Sequence, residues 1–177
     1  MTPWGIEFIR TNGRNVRGHV LEVGSKAYYS GHGHILLRTL FPDVDSFMGI
    51  DIEPGDNVDQ VMSVLDLDHY FGPERFDCVL SGDALEHIED WKTALQQMWT
   101  VLVHDGLLLF TTVAKGKRRH NYPNDYHRFS LADFEKIFIE EPIVALGRRG
   151  HFVGAAIRKK SVSLKLDNIE VLRVPPE

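Results

Sequence analysis

The chain has a single cysteine, Cys78, which excludes an internal disulfide framework and any metal knuckle built from several thiolates. No apolar run approaches the roughly 20 residues that a membrane-crossing helix needs. The opening residues, Met1-Thr2-Pro3-Trp4-Gly5, lack a charged segment followed by an apolar stretch, so no secretory signal is visible and a cytoplasmic protein is expected. Excess positive charge is missing too. The formal net charge is -5, which removes any general reason to expect nucleic-acid binding and leaves a local basic patch as the only route to it. At 177 residues and 43% hydrophobic content, the sequence supports a single domain with a substantial core, placed at 15–159, and is too short for two.

What is present is an alternation of short apolar runs and helical stretches. Strands are expected at 20–23, 47–52, 58–64, 76–81 and 107–113, the last being an uninterrupted apolar run of the kind found in buried central strands. Helical spacing marks 35–41, ended by Pro42, and 91–103, apolar at Trp91, Leu95, Met98, Trp99 and Leu102 and stopped by His104-Asp105-Gly106. Shorter helices are expected near Ile6, at 65–71, and at 131–139 behind a Ser130 cap. Stretches 143–146 and 152–157 flank Gly147-Arg148-Arg149-Gly150 and can close a sheet as an antiparallel pair. Strands alternating with helices argue for an α/β, doubly wound fold. Residues 160–177 alternate at Val162, Leu164 and Leu166; an edge strand, an oligomer contact and a loose terminus all fit that pattern.

Two strand ends carry a carboxylate that strand burial does not demand. Val20-Leu21-Glu22-Val23-Gly24-Ser25 ends in a glycine that lets the backbone turn sharply, and Met48-Gly49-Ile50-Asp51-Ile52 supplies an acid one unit later. An open α/β sheet holds a nucleoside in this way, with close backbone approach at the glycine and a carboxylate on the ribose hydroxyls. A dinucleotide needs further glycines for its pyrophosphate, yet those positions hold Lys26 and Tyr29. The missing glycines favour a cofactor without phosphates, S-adenosyl-L-methionine, over NAD.

Taken together, these segments resemble the class I methyltransferases, specifically the small type-11-like group. The resemblance adds Gly49-Ile50-Asp51-Ile52-Glu53-Pro54-Gly55, Phe76-Asp77-Cys78-Val79, Leu85-Glu86-His87-Ile88-Glu89-Asp90, Val101-Leu102-Val103-His104-Asp105-Gly106-Leu107-Leu108 and Tyr122-Pro123-Asn124-Asp125-Tyr126-His127-Arg128-Phe129. These occur in the family's order over residues 20–140. The resemblance implies a Rossmann-like, mostly parallel seven-stranded sheet with its last strand antiparallel, and methyl transfer from S-adenosylmethionine to an unnamed acceptor. It also implies roles by position: Glu22, Gly24 and Ser25 at the methionine end, Asp51 on the ribose, and Ile52, Val64 and Leu65 around the adenine. Ser81 faces the cofactor from the end of the fourth strand. Two positions depart from the family pattern: Lys26 replaces a glycine, and Ser63 stands where an acid is common, with Asp66 three residues later.

The catalytic candidates are His87, Tyr126 and His127. Histidine titrates near neutrality and suits a general base, although a helix-start imidazole beside a carboxylate is an equal reading of Glu86-His87. Tyr126, His127 and Arg128, with Asp125 to orient one of them, sit in a segment that either covers an acceptor or serves only as a structural loop. The run 115–119 suits an anionic acceptor or a solvated loop. His32-Gly33-His34 offers two imidazoles without a third ligand at metal spacing, so no metal is expected. A small-molecule acceptor is the favoured partner. The rival readings are a binding module of the same fold without catalysis, and an NAD-dependent enzyme.

Overall fold

The computed structural model describes residues 1–27, 36–120 and 124–175. Helix α1 (Pro3–Gly13) begins where Thr2 Oγ1 accepts from the Gly5 amide at 3.1 Å and Pro3 opens the first turn. There follow β1 (His19–Val23), β2 (Ser46–Asp51), β3 (Gln60–Val61), α2 (Leu67–Phe71), β4 (Phe76–Gly82), α3 (Trp91–Val101) and β5 (Leu102–Val113). The remainder comprises β6 (His127–Arg128), α4 (Leu131–Ile137), β7 (Ile143–Arg149), β8 (Phe152–Arg158) and β9 (Leu172–Arg173). Single 3-10 turns occupy Leu37–Leu40, Val64–Asp66 and Leu85–His87.

Seven strands form one sheet in the order β3-β2-β1-β4-β5-β8-β7. Strands β1 to β5 pair in parallel, and β8 runs antiparallel to both β5 and β7. The expected mostly parallel seven-stranded sheet, its last strand antiparallel, is thus the observed one. Both faces are covered. Leu21, Val79, Leu108 and Phe110 pack on one side against Trp99, Phe134 and Phe138, while Val20, Cys78, Leu80 and Leu109 pack on the other against Ile9, Leu37 and Phe41. Alternate residues of one strand therefore enter opposite cores, which is why the central strands read as unbroken apolar runs. Cys78 is a fully buried core side chain, and burial pushes its thiol up to about 12.

Three boundaries differ from the sequence reading. The third strand shrinks to Gln60–Val61, because Ser63 Oγ accepts from the Leu65 amide at 3.1 Å and starts a 3-10 turn instead. Only the 3-10 turn at Leu37–Leu40 stands within 36–41. Helix α3 stops at Val101, where the buried Lys159 ammonium donates to the carbonyls of Trp99 and Leu102 at 2.9 and 2.6 Å. His104-Asp105-Gly106 then lies inside β5 as an irregularity: Phe76 pairs with Leu102, but Cys78 pairs with Leu107.

The tail packs back onto the domain. Trp99 Nε1 donates to the Ser161 carbonyl at 3.1 Å, the Leu164 amide donates to Gln96 Oε1 at 3.0 Å, and Leu164 and Leu166 join the main core at 9% and 7% exposure. Strand β9 then pairs with β6 as a separate two-stranded sheet. A Leu164→Ala, Leu166→Ala double variant should lose roughly 2–5 kcal/mol of stability in urea denaturation, since both truncations open cavities against α3. A loose terminus would give no change.

Candidate functional site

The carboxyl ends of β1, β2 and β4 open on a cavity of about 450 Å³. A second cleft, of about 580 Å³, lies at the opposite ends of the strands between Arg14, Asp77, His104 and Arg158. Open α/β sheets hold ligands beyond their carboxyl ends, at the point where strand order reverses, and here that point lies between β1 and β4. Position therefore selects the smaller cavity.

Its floor is the turn after β1. Gly24 has φ +76°, and the amides of Gly24 and Ser25 both donate to the Ile50 carbonyl at 2.9 Å. A Cβ on Gly24 would stand 2.6 Å from the Ala84 Cβ, so a side chain there would disturb the fold as well as the cavity. Glu22, 5% exposed, accepts from Asn57 Nδ2 at 3.0 Å, and the same amide group donates to the Ser25 carbonyl at 2.9 Å. Asn57 Oδ1 in turn accepts from Arg38, which also pairs with Asp59 at 2.6 Å. Burial outweighs the Asn57 hydrogen bond and pushes the Glu22 carboxyl up to about 8. Asp51 stands at the end of β2 with each carboxylate oxygen taking one backbone amide: Oδ2 from Lys26 and Oδ1 from Glu53, both at 3.1 Å. Each oxygen retains a lone pair for a further donor. The Lys26 side chain reaches Glu53 at 2.5 Å.

The opposite wall comes from the segment after β4. His87 borders the cavity, and its Nδ1 meets the Asn124 carbonyl. Burial lowers its pKa. Glu86 is fully buried behind it, with Oε2 accepting from Thr112 Oγ1 at 2.7 Å; burial first, then the nearby Asp83, pushes its carboxyl up to about 8. Behind both lies an ion pair between Asp125 and Arg128, each 1% exposed. Arg128 also donates to the carbonyls of Lys117 and Arg118 at 3.0 and 2.9 Å, wrapping the basic loop around its guanidinium. Burial raises the Asp125 carboxyl, but the Arg128 guanidinium and the His120 amide hold it below its ordinary range.

Of the residues singled out in the sequence, Glu22, Gly24, Ser25, Asp51, Ile52, Val64 and His87 meet at this one cavity. Leu65 and Ser81 do not border it: Leu65 is 37% exposed, and Ser81 is buried in β4 with its hydroxyl unpartnered. Tyr126 and His127 also stand off the wall. The Tyr126 amide donates to the Glu86 carbonyl at 2.8 Å, and His127 Nε2 donates to the Glu89 carbonyl at 2.9 Å, burial lowering the His127 pKa. Asn57 escaped the sequence reading. Its only signal was an asparagine in a polar turn, the residue type that tolerates its φ of +72°. Tyr28, Tyr29, His32, His34, Tyr122 and Pro123 lie outside the described residues. In the run 115–119, Lys115 pairs with Asp133 at 2.9 Å, Lys117 lies 5.2 Å over the Phe152 ring, and Arg119 donates to the Pro175 carbonyl at 3.2 Å. Three of its cations are thus engaged within the molecule.

Residues 30–110 match the family model described as a methyltransferase domain. Over that stretch the chain is similar to methyltransferase domains, and its sheet has the Rossmann-like fold of the methyltransferases it superposes on. Its fold superposes on the Burkholderia thailandensis 1,6-didemethyltoxoflavin-N1-methyltransferase, solved with S-adenosylhomocysteine, with a TM-score of 0.64 at 16% identity over 81% of this chain and 71% of that one. The N-methyltransferase NodS from Bradyrhizobium japonicum aligns with a TM-score of 0.63 at 17% identity over 88% of this chain and 93% of that one. The carbon methyltransferase of CurJ aligns at 0.60 and 13% identity, over 84% of this chain and 51% of that one. No curated protein sequence matches significantly. Among the described residues, no helix is long and apolar enough to cross a membrane.

Two outcomes follow from the electrostatics of this site. Asp125→Ala should destabilise the fold by about 3–5 kcal/mol, because it leaves the Arg128 guanidinium buried without its counter-ion; chemical denaturation measures this. Glu22 titrates near 8 when folded and near 4.5 when unfolded, so the folded state holds the extra proton between those values. Stability is then full below the unfolded pKa and falls as pH rises through the folded one. The urea midpoint of Glu22→Gln should decline less than that of the native chain between about pH 5 and about pH 9.

Proposed function

We propose that the cavity binds S-adenosylmethionine and that the protein transfers its methyl group to a small-molecule acceptor. The observation that carries this reading is the convergence of Asp51, Glu22 and the Gly24 turn on one cavity at the strand-order reversal. The fit is supported by the cavity's size, within the range of roughly 300–1,000 Å³ typical of small-molecule sites. It is supported further by Ser25 Oγ, buried at the wall without a partner, and by the absence of a side chain at Gly24. When bound, the cofactor supplies a methyl group on a sulfonium, a good leaving group for in-line displacement.

The chain's own residues then have to align the acceptor and exclude water. Asp51 accepts the ribose hydroxyls with its remaining lone pairs, the exposed Ile52 and the side chain of Val64 bracket the base, and Glu22 and Ser25 hold the methionine end. His87 meets the acceptor from the opposite wall. Tyr126 and His127 act as positioning residues, holding the Glu86 and Glu89 carbonyls and thereby the turn that presents His87. The same small acceptor class is named for the B. thailandensis relative, whose structure holds 1,6-didemethyltoxoflavin.

Titration calorimetry tests the reading. Heat is expected with S-adenosylmethionine and S-adenosylhomocysteine and none with NAD; heat with NAD alone would overturn it. Binding without turnover on any acceptor panel would leave a binding module instead. Asp51→Ala should weaken S-adenosylhomocysteine by roughly 1.5–3 kcal/mol through loss of charge-assisted hydrogen bonds. A bound ammonium beside Glu22 lowers that carboxyl's raised pKa, so binding near neutral pH should release a proton, and Glu22→Gln should abolish the release. Comparing buffers of different ionisation enthalpy measures it.

A further inference from the structure

We infer that Glu86, His87 and His120 form a binding site for one divalent transition-metal ion of the Zn²⁺ class at the edge of the cavity. The inference does not rest on the methyl-transfer reading. One ligand atom from each of the three residues lies within 4.8 Å of the others. His87 Nε2 and His120 Nε2 face each other at 3.1 Å, and the Glu86 Oε1 stands 3.9 Å from His87 Nε2. Two imidazole nitrogens on one tetrahedral ion with bonds of 2.0–2.1 Å are separated by about 3.3 Å, so the two rings already hold nearly the spacing of a ligand pair.

The surroundings fix which nitrogens face inward. His87 Nδ1 is set against the Asn124 carbonyl, an acceptor that requires a proton on that nitrogen. His120 Nδ1 lies 2.9 Å from Asp125 Oδ2, off the line of a good hydrogen bond but close enough for the carboxylate to draw the ring proton to that side. With both protons on Nδ1, the two Nε2 lone pairs point at each other, and such a contact is repulsive unless a Lewis acid stands between them. A carbonyl or carboxylate on the outer nitrogen is also the usual support for a metal-bound histidine. Glu86 is oriented in the same sense, since Thr112 Oγ1 donates to Oε2 and leaves Oε1 for the ion. Two histidines and one carboxylate match catalytic zinc sites, which keep a further position open for water or substrate. Of the three ligands His87 is the one that borders the cavity, which gives an ion held there a route to what the cavity binds. As a ligand, His87 would orient the acceptor through the ion and not take its proton.

The competing account is a proton shared between the two rings, and metal titration separates them. The intact chain is stripped with a chelator, then titrated with Zn²⁺ by calorimetry and with Co²⁺ by visible absorption. One ion per chain is expected, with the d–d bands of low-coordinate Co²⁺, displaced by Zn²⁺. His120→Ala should weaken Zn²⁺ by more than about 100-fold, beyond the loss of a merely supporting partner, with circular dichroism unchanged. His87→Ala should do the same, and either variant alone decides if the other fails to fold. Absence of saturable Zn²⁺ binding, or native affinity retained in a folded variant, overturns the site. Metal binding without S-adenosylhomocysteine binding would leave this site standing and sink the proposed function.

Discussion

Two amide protons on one carbonyl set the geometry of this molecule's working edge. By donating jointly to Ile50, Gly24 and Ser25 stop β1 level with β2 and turn the chain away from the sheet. A left-handed residue makes that possible, and Gly24 supplies it without strain. Because Val23 pairs with Ile50 on one side and Ser81 on the other, the three central strands end together. Glu22, Asp51 and the turn after β4 then arrive at one cavity, although they are far apart in the chain.

The second constraint lies on the opposite wall. Placing the Asp125 and Arg128 charges in the interior has a large desolvation cost, so the pair is weak support for stability by itself. Its effect is on conformation. The guanidinium is satisfied only if the backbone of 117–118 curls around it, and that curl brings His120 to face His87. The tail completes the arrangement: β9 pairs with β6, the Val174 amide donates to the Tyr126 carbonyl at 2.7 Å, and Arg173 pairs with Glu89. A basic loop and an unplaced terminus thereby become the scaffold behind one wall of the site.

Local pattern carried the fold and half the site. Alternating burial produced the unbroken apolar runs of β1, β4 and β5, while helical spacing marked α3, so the doubly wound sheet and its antiparallel pair could be read directly. Glu22, Gly24 and Asp51 were legible because each breaks the local rule: two carboxylates and a glycine at strand ends where packing alone needs none. The limits of β3 and α3 were not legible, since a serine cap and a lysine just beyond the distant strand β8 decide them.

What the sequence by itself determined is therefore whatever depends on neighbours in the chain: strand and helix periodicity, the Gly24 turn, and the acids at two strand ends. Tertiary structure alone decided the rest. It brought Asn57 onto Glu22, separated Tyr126 and His127 from the cavity wall, folded the tail onto α3, and set His120 against His87. Each of these rests on a contact between residues 30 or more positions apart, the tail on α3 at 62 to 68. Side-chain hydrogen bonding across such separations leaves no periodic trace in a sequence, because any polar residue in a loop can serve and only the packed sheet selects which one does.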